Sequence, residues 1–185
     1  MPPVQTVFVV LAPGDVRYAA EDWSAFDGRL EPLYCGGPSR RESVYNGLVA
    51  ARDAIDAEDW LLVHDAARPC LPRHDLETLV ATCERDEIGG ILAVPAADTV
   101  KRVAQGRIES TEKREDLWLA QTPQMFRAGL LLQALQQARS AVTDEASAVE
   151  ALGFKPRIVP GSRENLKVTW PEDLAIAESI LSRRA

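Results

Sequence analysis

Short apolar runs separated by polar turns recur along the chain. Thr6–Leu11 is a β-branched run closed by Pro13-Gly14-Asp15, the signature of a strand and then a turn. Asp15–Asp27 is mixed and has room for one short helix, and Leu30–Tyr34 is a short strand candidate. Val44, Leu48, Ala51 and Ile55 recur at i, i+4, i+7 and i+11, which predicts an amphipathic helix opened by Ser43. Leu61–His64 predicts a buried parallel strand, because an apolar run ends abruptly in charge and Pro69. Leu76, Leu79, Val80 and Cys83 predict a second helix, and Ile91–Pro95 another buried strand.

Asp98–Asp116 breaks the pattern. It is rich in Lys, Arg and Glu, and Val100, Val103 and Ile108 flank Gln105-Gly106, which predicts a hairpin arm. A two-stranded ribbon is marginal alone, so the arm at 98–116 is expected to make a homodimer contact. Leu117–Ala120 predicts a strand running into Gln121–Gln124. Leu130–Ala138 predicts a third helix, and Thr143 the N-cap of the next. Arg157–Val159 and Asn165–Thr169 read as strands, the second with Lys167 alternating against Leu166 and Val168. Thr169–Glu172 reads as a capping box opening a final helix with Leu174, Ala177 and Leu181 on its apolar face. Alternating strands and helices predict an α/β fold with an open, mainly parallel sheet, in a single domain over 1–185.

Composition narrows the chemistry. A formal net charge of −7 argues against a general nucleic-acid or membrane-surface binder. No apolar run approaches the roughly 18 residues of a membrane span. Three scattered cysteines without metal-ligand spacing fit a cytoplasmic protein with inert thiols.

Candidate chemistry gathers where apolar segments end, the edge at which open α/β sheets bind ligands. Asp65 follows the Leu61–His64 strand and is placed to hold Mg²⁺ together with substrate phosphates. Arg68 offers a planar fork for phosphate or carboxylate. The alternative is an Asp capping a turn beside a surface Arg. Gly36-Gly37 with Ser43 could approach a nucleotide with backbone amides or be an ordinary glycine turn. Thr99 could bond a hydroxyl or phosphate or simply sit in a turn. Lys167 presents its ammonium to one face, as a functional group or as an exposed strand lysine, and Arg114 is equally hard to assign to a merely solvated surface. His64 points away from Asp65 and reads as structural, and His74 as a surface residue.

Six motifs then occur in a fixed order. They are Gly36-Gly37 through Arg40 to Ser43-Val44; Val63–Pro69; Asp98–Lys101; Leu117-Trp118 with Gln121–Gln124; Thr143–Ser147; and Asn165–Thr169 with Pro171–Leu174. Together, over essentially the whole chain, they resemble the 2-C-methyl-D-erythritol 4-phosphate cytidylyltransferase family. The resemblance implies a Rossmann-like fold of the nucleotide-diphospho-sugar transferase type. It implies transfer of a cytidylyl group from CTP to methylerythritol phosphate, with Mg²⁺, in non-mevalonate isoprenoid synthesis. By motif, Asp65 resembles the metal carboxylate, and Gly37, Ser43, Ala66 and Arg68 the nucleotide contacts. Thr99, Thr122 and Thr143 resemble the methylerythritol phosphate site, with Arg114 and Lys167 as the catalytic cations. Arg114 would reach a partner subunit's site from the arm.

One part of the family pattern has no counterpart here: the opening strand and glycine-rich triphosphate loop. Met1–Leu11 matches the family's next strand, so the first central strand is expected to be absent. A start assigned too late, a binding remnant without catalysis, or a second chain supplying the loop would each account for this. A nucleotidyltransferase acting on another polyol phosphate is the rival enzyme reading.

Overall fold

A computed structural model of the chain describes residues 4–26, 28–138 and 142–184; Asp27, the end of the first mixed stretch, lies outside them. The chain divides into two units, residues 1–61 with 126–156 and residues 62–125 with 157–185.

The first unit opens with β1 (Val7–Val10), which pairs in parallel with β2 (Leu30–Leu33). Between them the expected helix is replaced by two short 3₁₀ turns, Tyr18–Ala20 and Ser24–Phe26. Tyr18 and Trp23 stack at 4.8 Å between them. Helix α1 spans Arg40–Ala50. It starts earlier than the apolar spacing predicts because Ser39, not Ser43, caps it by accepting the Glu42 amide. It also stops at Ala50, and Ile55 falls beyond a turn. Helix α3 (Ala128–Gln137) buries Ala128, Leu131, Ala134 and Leu135, each buried leucine stabilising by about 1.5–3 kcal/mol. Helix α4 (Glu145–Ala151) packs against α3 and buries Ala148 and Val149. Its N-cap is Asp144, one residue beyond the expected Thr143.

The second unit is built on β3 (Trp60–Val63), β4 (Gly89–Pro95), β7 (Trp118–Arg127) and β8 (Arg157–Pro160). Their order is β3-β7-β4-β8, with β4 and β8 parallel. Strand β7 is longer than its opening Leu117–Ala120 run suggests: six consecutive residues, Gln121–Phe126, are buried, so polar and apolar positions alike continue the strand. The unit division falls inside β3 and β7. Helix α2 (Arg73–Cys83) covers β4 and β8 and buries Leu79, Val80 and Cys83 as its periodicity requires.

Helix α5 (Pro171–Ser182) follows its sequence pattern at Ala177 and departs from it at the leucines. Leu174 and Leu181 are exposed, and the buried stripe is Ala177 and Ile180 against Cys70, with Leu166 and Val168 alongside. The Asp173 carboxylate, not Glu172, closes its first turn by accepting the Thr169 and Trp170 amides. Residues 165–169 are not a strand; they follow the turn after β3, where the Val168 amide donates to the Ala67 carbonyl at 2.8 Å.

The arm forms as expected, with β5 (Lys101–Ala104) antiparallel to β6 (Arg107–Thr111). Gln105 and Gly106 both have positive φ, 50° and 75°, the twist a two-residue hairpin needs. Every residue of both strands is exposed, Val103 and Ile108 included.

Candidate functional site

In the first unit the glycine turn and the start of α1 form one polar knot. The Gly37 amide donates to Ser43 Oγ at 3.0 Å, and Ser43 Oγ donates to the Ser39 carbonyl at 2.9 Å. A Cβ at Gly37 would lie 2.6 Å from Glu42 Cβ, so the turn can close this tightly only on glycine. Arg40, the first helical residue, makes a two-pronged ion pair with Glu145 at 2.7 and 2.9 Å. Asp144 caps α4 through the Ser147 amide at 3.0 Å, and the Thr143 amide donates to Ser147 Oγ at 3.2 Å. The Arg40–Glu145 pair thus joins the starts of two helices and brings the Gly37–Ser43 turn and Thr143 into one bonded set. A helix N-terminus attracts anions through its open amides and its dipole.

In the second unit the turn after β3 carries the other candidates. The Asp65 carbonyl accepts the Arg68 amide at 2.9 Å, closing a turn with Ala66 exposed at its tip. Lys167 Nζ lies 2.9 Å from Asp65 Oδ2. Lys167 stands out because Leu166 and Val168 on either side pack into the Cys70–Ala177–Ile180 cluster, leaving the lysine to turn the other way. The alternation read from the sequence holds, although the segment is not a strand.

Thr122 Oγ1 accepts the Asp65 amide at 3.0 Å and also lies 3.0 Å from His64 Nδ1. His64 Nε2 lies 3.1 Å from the Arg68 carbonyl. His64 is exposed at the surface, yet both of its ring nitrogens face protein partners. Burial pushes His64 below its ordinary 6.5, opposed by the bond to the Arg68 carbonyl and by the Asp65 charge. The Arg68 guanidinium donates to the Asn165 carbonyl at 2.6 Å and the Ala120 carbonyl at 3.3 Å. Asn165, fully buried, donates to the Thr122 carbonyl at 2.8 Å, and Gln121 donates to the Ser162 carbonyl at 2.9 Å.

Thr99 is exposed where the chain enters the arm, and Arg114, where it leaves, donates to the Ala97 carbonyl. These two stand at the arm's base. The cysteines are free, and burial pushes the Cys83 thiol up to about 12, so it stays protonated and inert.

Sequence reading passed over His64 as a partner of the Asp65 turn, and did not assign Arg40, Glu145, Gln121 or Asn165. Each lies within one of the six motifs, which marked the segment but not the role, and Glu145 and Asn165 are almost completely buried. Buried polar side chains need partners, so such residues mark brackets in the fold.

The Asp65–Lys167 juxtaposition sets a carboxylate and an ammonium beside each other at the end of a strand. The ammonium suits a phosphate, and the carboxylate a divalent cation. Among the described residues no three His, Cys, Asp or Glu side chains gather as a metal cage. A single carboxylate fits Mg²⁺, which keeps several waters and takes its other ligands from substrate phosphates.

Comparison with known proteins places the whole chain among its relatives. The family model described as 2-C-methyl-D-erythritol 4-phosphate cytidylyltransferase matches residues 1–183. A relative of that name from Nitrosospira multiformis is 55% identical over 184 residues, covering 97% of this chain and 79% of that protein. A crystal structure of 4-diphosphocytidyl-2C-methyl-D-erythritol synthase aligns with a TM-score of 0.87 at 43% identity, over 95% of this chain and 82% of that one. The crystal structure of 2-C-methyl-D-erythritol 4-phosphate cytidylyltransferase from Thermus thermophilus aligns at 0.79 with 31% identity, over 96% and 82%.

Proposed function

Because the chain belongs to the 2-C-methyl-D-erythritol 4-phosphate cytidylyltransferase family, we propose that it joins CTP to methylerythritol phosphate. A phosphate oxygen of the acceptor attacks the α-phosphorus of CTP. The bond from that phosphorus to the β-phosphate oxygen breaks, and pyrophosphate leaves with the electron pair. The product is 4-diphosphocytidyl-2-C-methyl-D-erythritol.

The observation that carries this reading is the Lys167–Asp65 contact of 2.9 Å on a turn braced from three sides. A phosphate monoester is already ionised near neutral pH, so its oxygen needs no strong general base. Alignment and charge neutralisation supply the rate. Lys167 and Arg114 hold the attacking phosphate. Thr99, Thr122 and Thr143 hold the methylerythritol phosphate by its hydroxyls and phosphate. Gly37, Ser43, Ala66 and Arg68 meet the nucleotide. Asp65 would hold Mg²⁺, which when bound neutralises charge on the triphosphate. For Thr122 and Arg68, substrate contact means sharing groups that already bond within the protein.

The exposed apolar Val103 and Ile108 support homodimerisation through the arm. Among the described residues no helix is long and apolar enough to cross a membrane. We infer work in the cytoplasm, where the free thiols persist.

Pyrophosphate release from CTP, followed with methylerythritol phosphate and with ribulose 5-phosphate as acceptors, tests the assignment. The expected preference for methylerythritol phosphate is at least about 100-fold in kcat/KM, below the roughly 10⁴-fold of a fully buried polar site because Thr99 and Thr143 are exposed. Equal rates would transfer the chain to a broader polyol-phosphate specificity. Nucleotide binding without turnover of either acceptor would leave a binding protein.

A further inference from the structure

We propose that His64 is a positioning residue: its imidazole, carrying the proton on Nε2, sets the stance of the Asp65 turn. The inference rests on the functional reading above, since that turn carries the carboxylate and meets the lysine assigned to the reaction.

The proton's place follows from the partners. The Arg68 carbonyl, 3.1 Å from Nε2, can only accept, so Nε2 must donate. A neutral imidazole with its proton there has a bare Nδ1. The Thr122 hydroxyl, 3.0 Å from Nδ1, therefore donates to it. That leaves the lone pairs of Thr122 Oγ1 for the Asp65 amide, which donates at 3.0 Å. Every group in the chain Arg68 carbonyl, imidazole, Thr122 hydroxyl, Asp65 amide is used once, in one direction, without conflict.

The ring thus grips both ends of the turn. Asp65 is held through Thr122, a buried residue of β7, and Arg68 is held directly. The middle of the same turn, the Ala67 carbonyl, receives the Val168 amide at 2.8 Å, next to Lys167. A shift of the turn therefore moves the Asp65 carboxylate and the backbone neighbour of Lys167 together. His64 needs no contact with substrate to matter. Misplacement of reacting groups by about 1 Å can cost about 100-fold in rate.

The experiment is ring-nitrogen NMR on the full chain, in which only His64 and His74 contribute. His74→Gln, at the exposed start of α2, assigns the remaining ring. A single tautomer at His64 with a protonated Nε2 and a bare Nδ1 is expected. So is slow hydrogen exchange at the Asp65 amide. His64→Phe keeps a ring and removes both nitrogens. It should speed Asp65 exchange at least about tenfold while β4 amides keep their protection, and lower kcat by about 10- to 100-fold. His64→Gln, which returns an amide donor for the Arg68 carbonyl, should recover part of that loss. A tautomerically averaged ring, a proton on Nδ1, or a His64→Phe protein with wild-type Asp65 exchange and kcat would each overturn the proposal. Should His64→Phe not fold, the wild-type ring spectrum decides by itself. Failure of the functional reading looks different: the ring and amide signals stand as described, and the wild-type chain turns over no methylerythritol phosphate.

Discussion

Of the ion pairs that join distant parts of this sequence, Arg40–Glu145 and Lys167–Asp65 are built for different ends. Glu145 is 1% exposed and Arg40 30%, and the guanidinium grips both carboxylate oxygens. In the other pair Lys167 is 45% exposed and Asp65 13%, and one ammonium meets one oxygen. A planar fork on a buried carboxylate is fixed by geometry as well as by charge. A lysine at the surface is a point charge on a flexible stem, and its pair exchanges with solvent and solutes at little cost. The first arrangement suits a brace and the second a group that must let go of one anion to meet another.

The sharpest way to break the contrast is Arg40→Ala. It strands a buried carboxylate, and the expected loss is about 3–5 kcal/mol in urea unfolding. A loss below about 1 kcal/mol would mean that Arg40 braces nothing. Lys167→Ala should do the opposite. Its stability cost should stay within about 1 kcal/mol, as for an exposed pair. Turnover should fall by about 100- to 1,000-fold, as when a transition-state donor is removed. CTP affinity by calorimetry should barely move. Equal losses of turnover and affinity would make Lys167 a general binding group. The arm extends the series to a third pair, Arg102 with Glu112 at 2.7 Å, exposed by 64% and 32%. That exposed pair holds the arm itself only weakly, and the association proposed for the arm rests on the exposed Val103 and Ile108. Ile108→Lys should halve the mass in light scattering while changing monomer stability by no more than about 0.5 kcal/mol. A wild-type chain that is already monomeric at micromolar concentration would remove the arm from assembly altogether.

Much of the fold was legible because burial writes a period into the sequence. Helix α2 is the clear case: Leu79, Val80 and Cys83 are buried where their spacing puts them. The arm was legible for the opposite reason, since its charge and its Gln105-Gly106 turn mark it as unlike its surroundings. Helix α5 shows where period fails. Of Leu174, Ala177 and Leu181, which share a spacing, Ala177 is buried as expected, but it is Ile180 that joins it against Cys70, Leu166 and Val168, while the two leucines face outward. Caps were misplaced by one to four residues, at Asp144 for Thr143 and at Ser39 for Ser43. Several capping residues stood in a row, and only backbone geometry chooses among them.

Of the candidate site, the residue types were legible and their pairings were not. Nothing local in the sequence says that Lys167 meets Asp65, 102 positions away. Arg68 was expected to face a ligand, yet its donors also serve two backbone carbonyls, which carry no side-chain signature. His64 reads from sequence as structural, and its partners, a threonine hydroxyl and a carbonyl, come from folding.

The first unit is discontinuous: residues 62–125 intervene between the segment bearing β1, β2 and α1 and the segment bearing α3 and α4. During synthesis, Arg40 leaves the ribosome about 100 residues ahead of Glu145, which at roughly 5–20 residues per second is about 5 to 20 seconds. Over that interval α1 has its cap but not its brace, and the arm, whose contacts are local, can already close. Translation speed through the middle of the message therefore sets how long a half-built unit waits for its second half, and chaperones have that window in which to hold it.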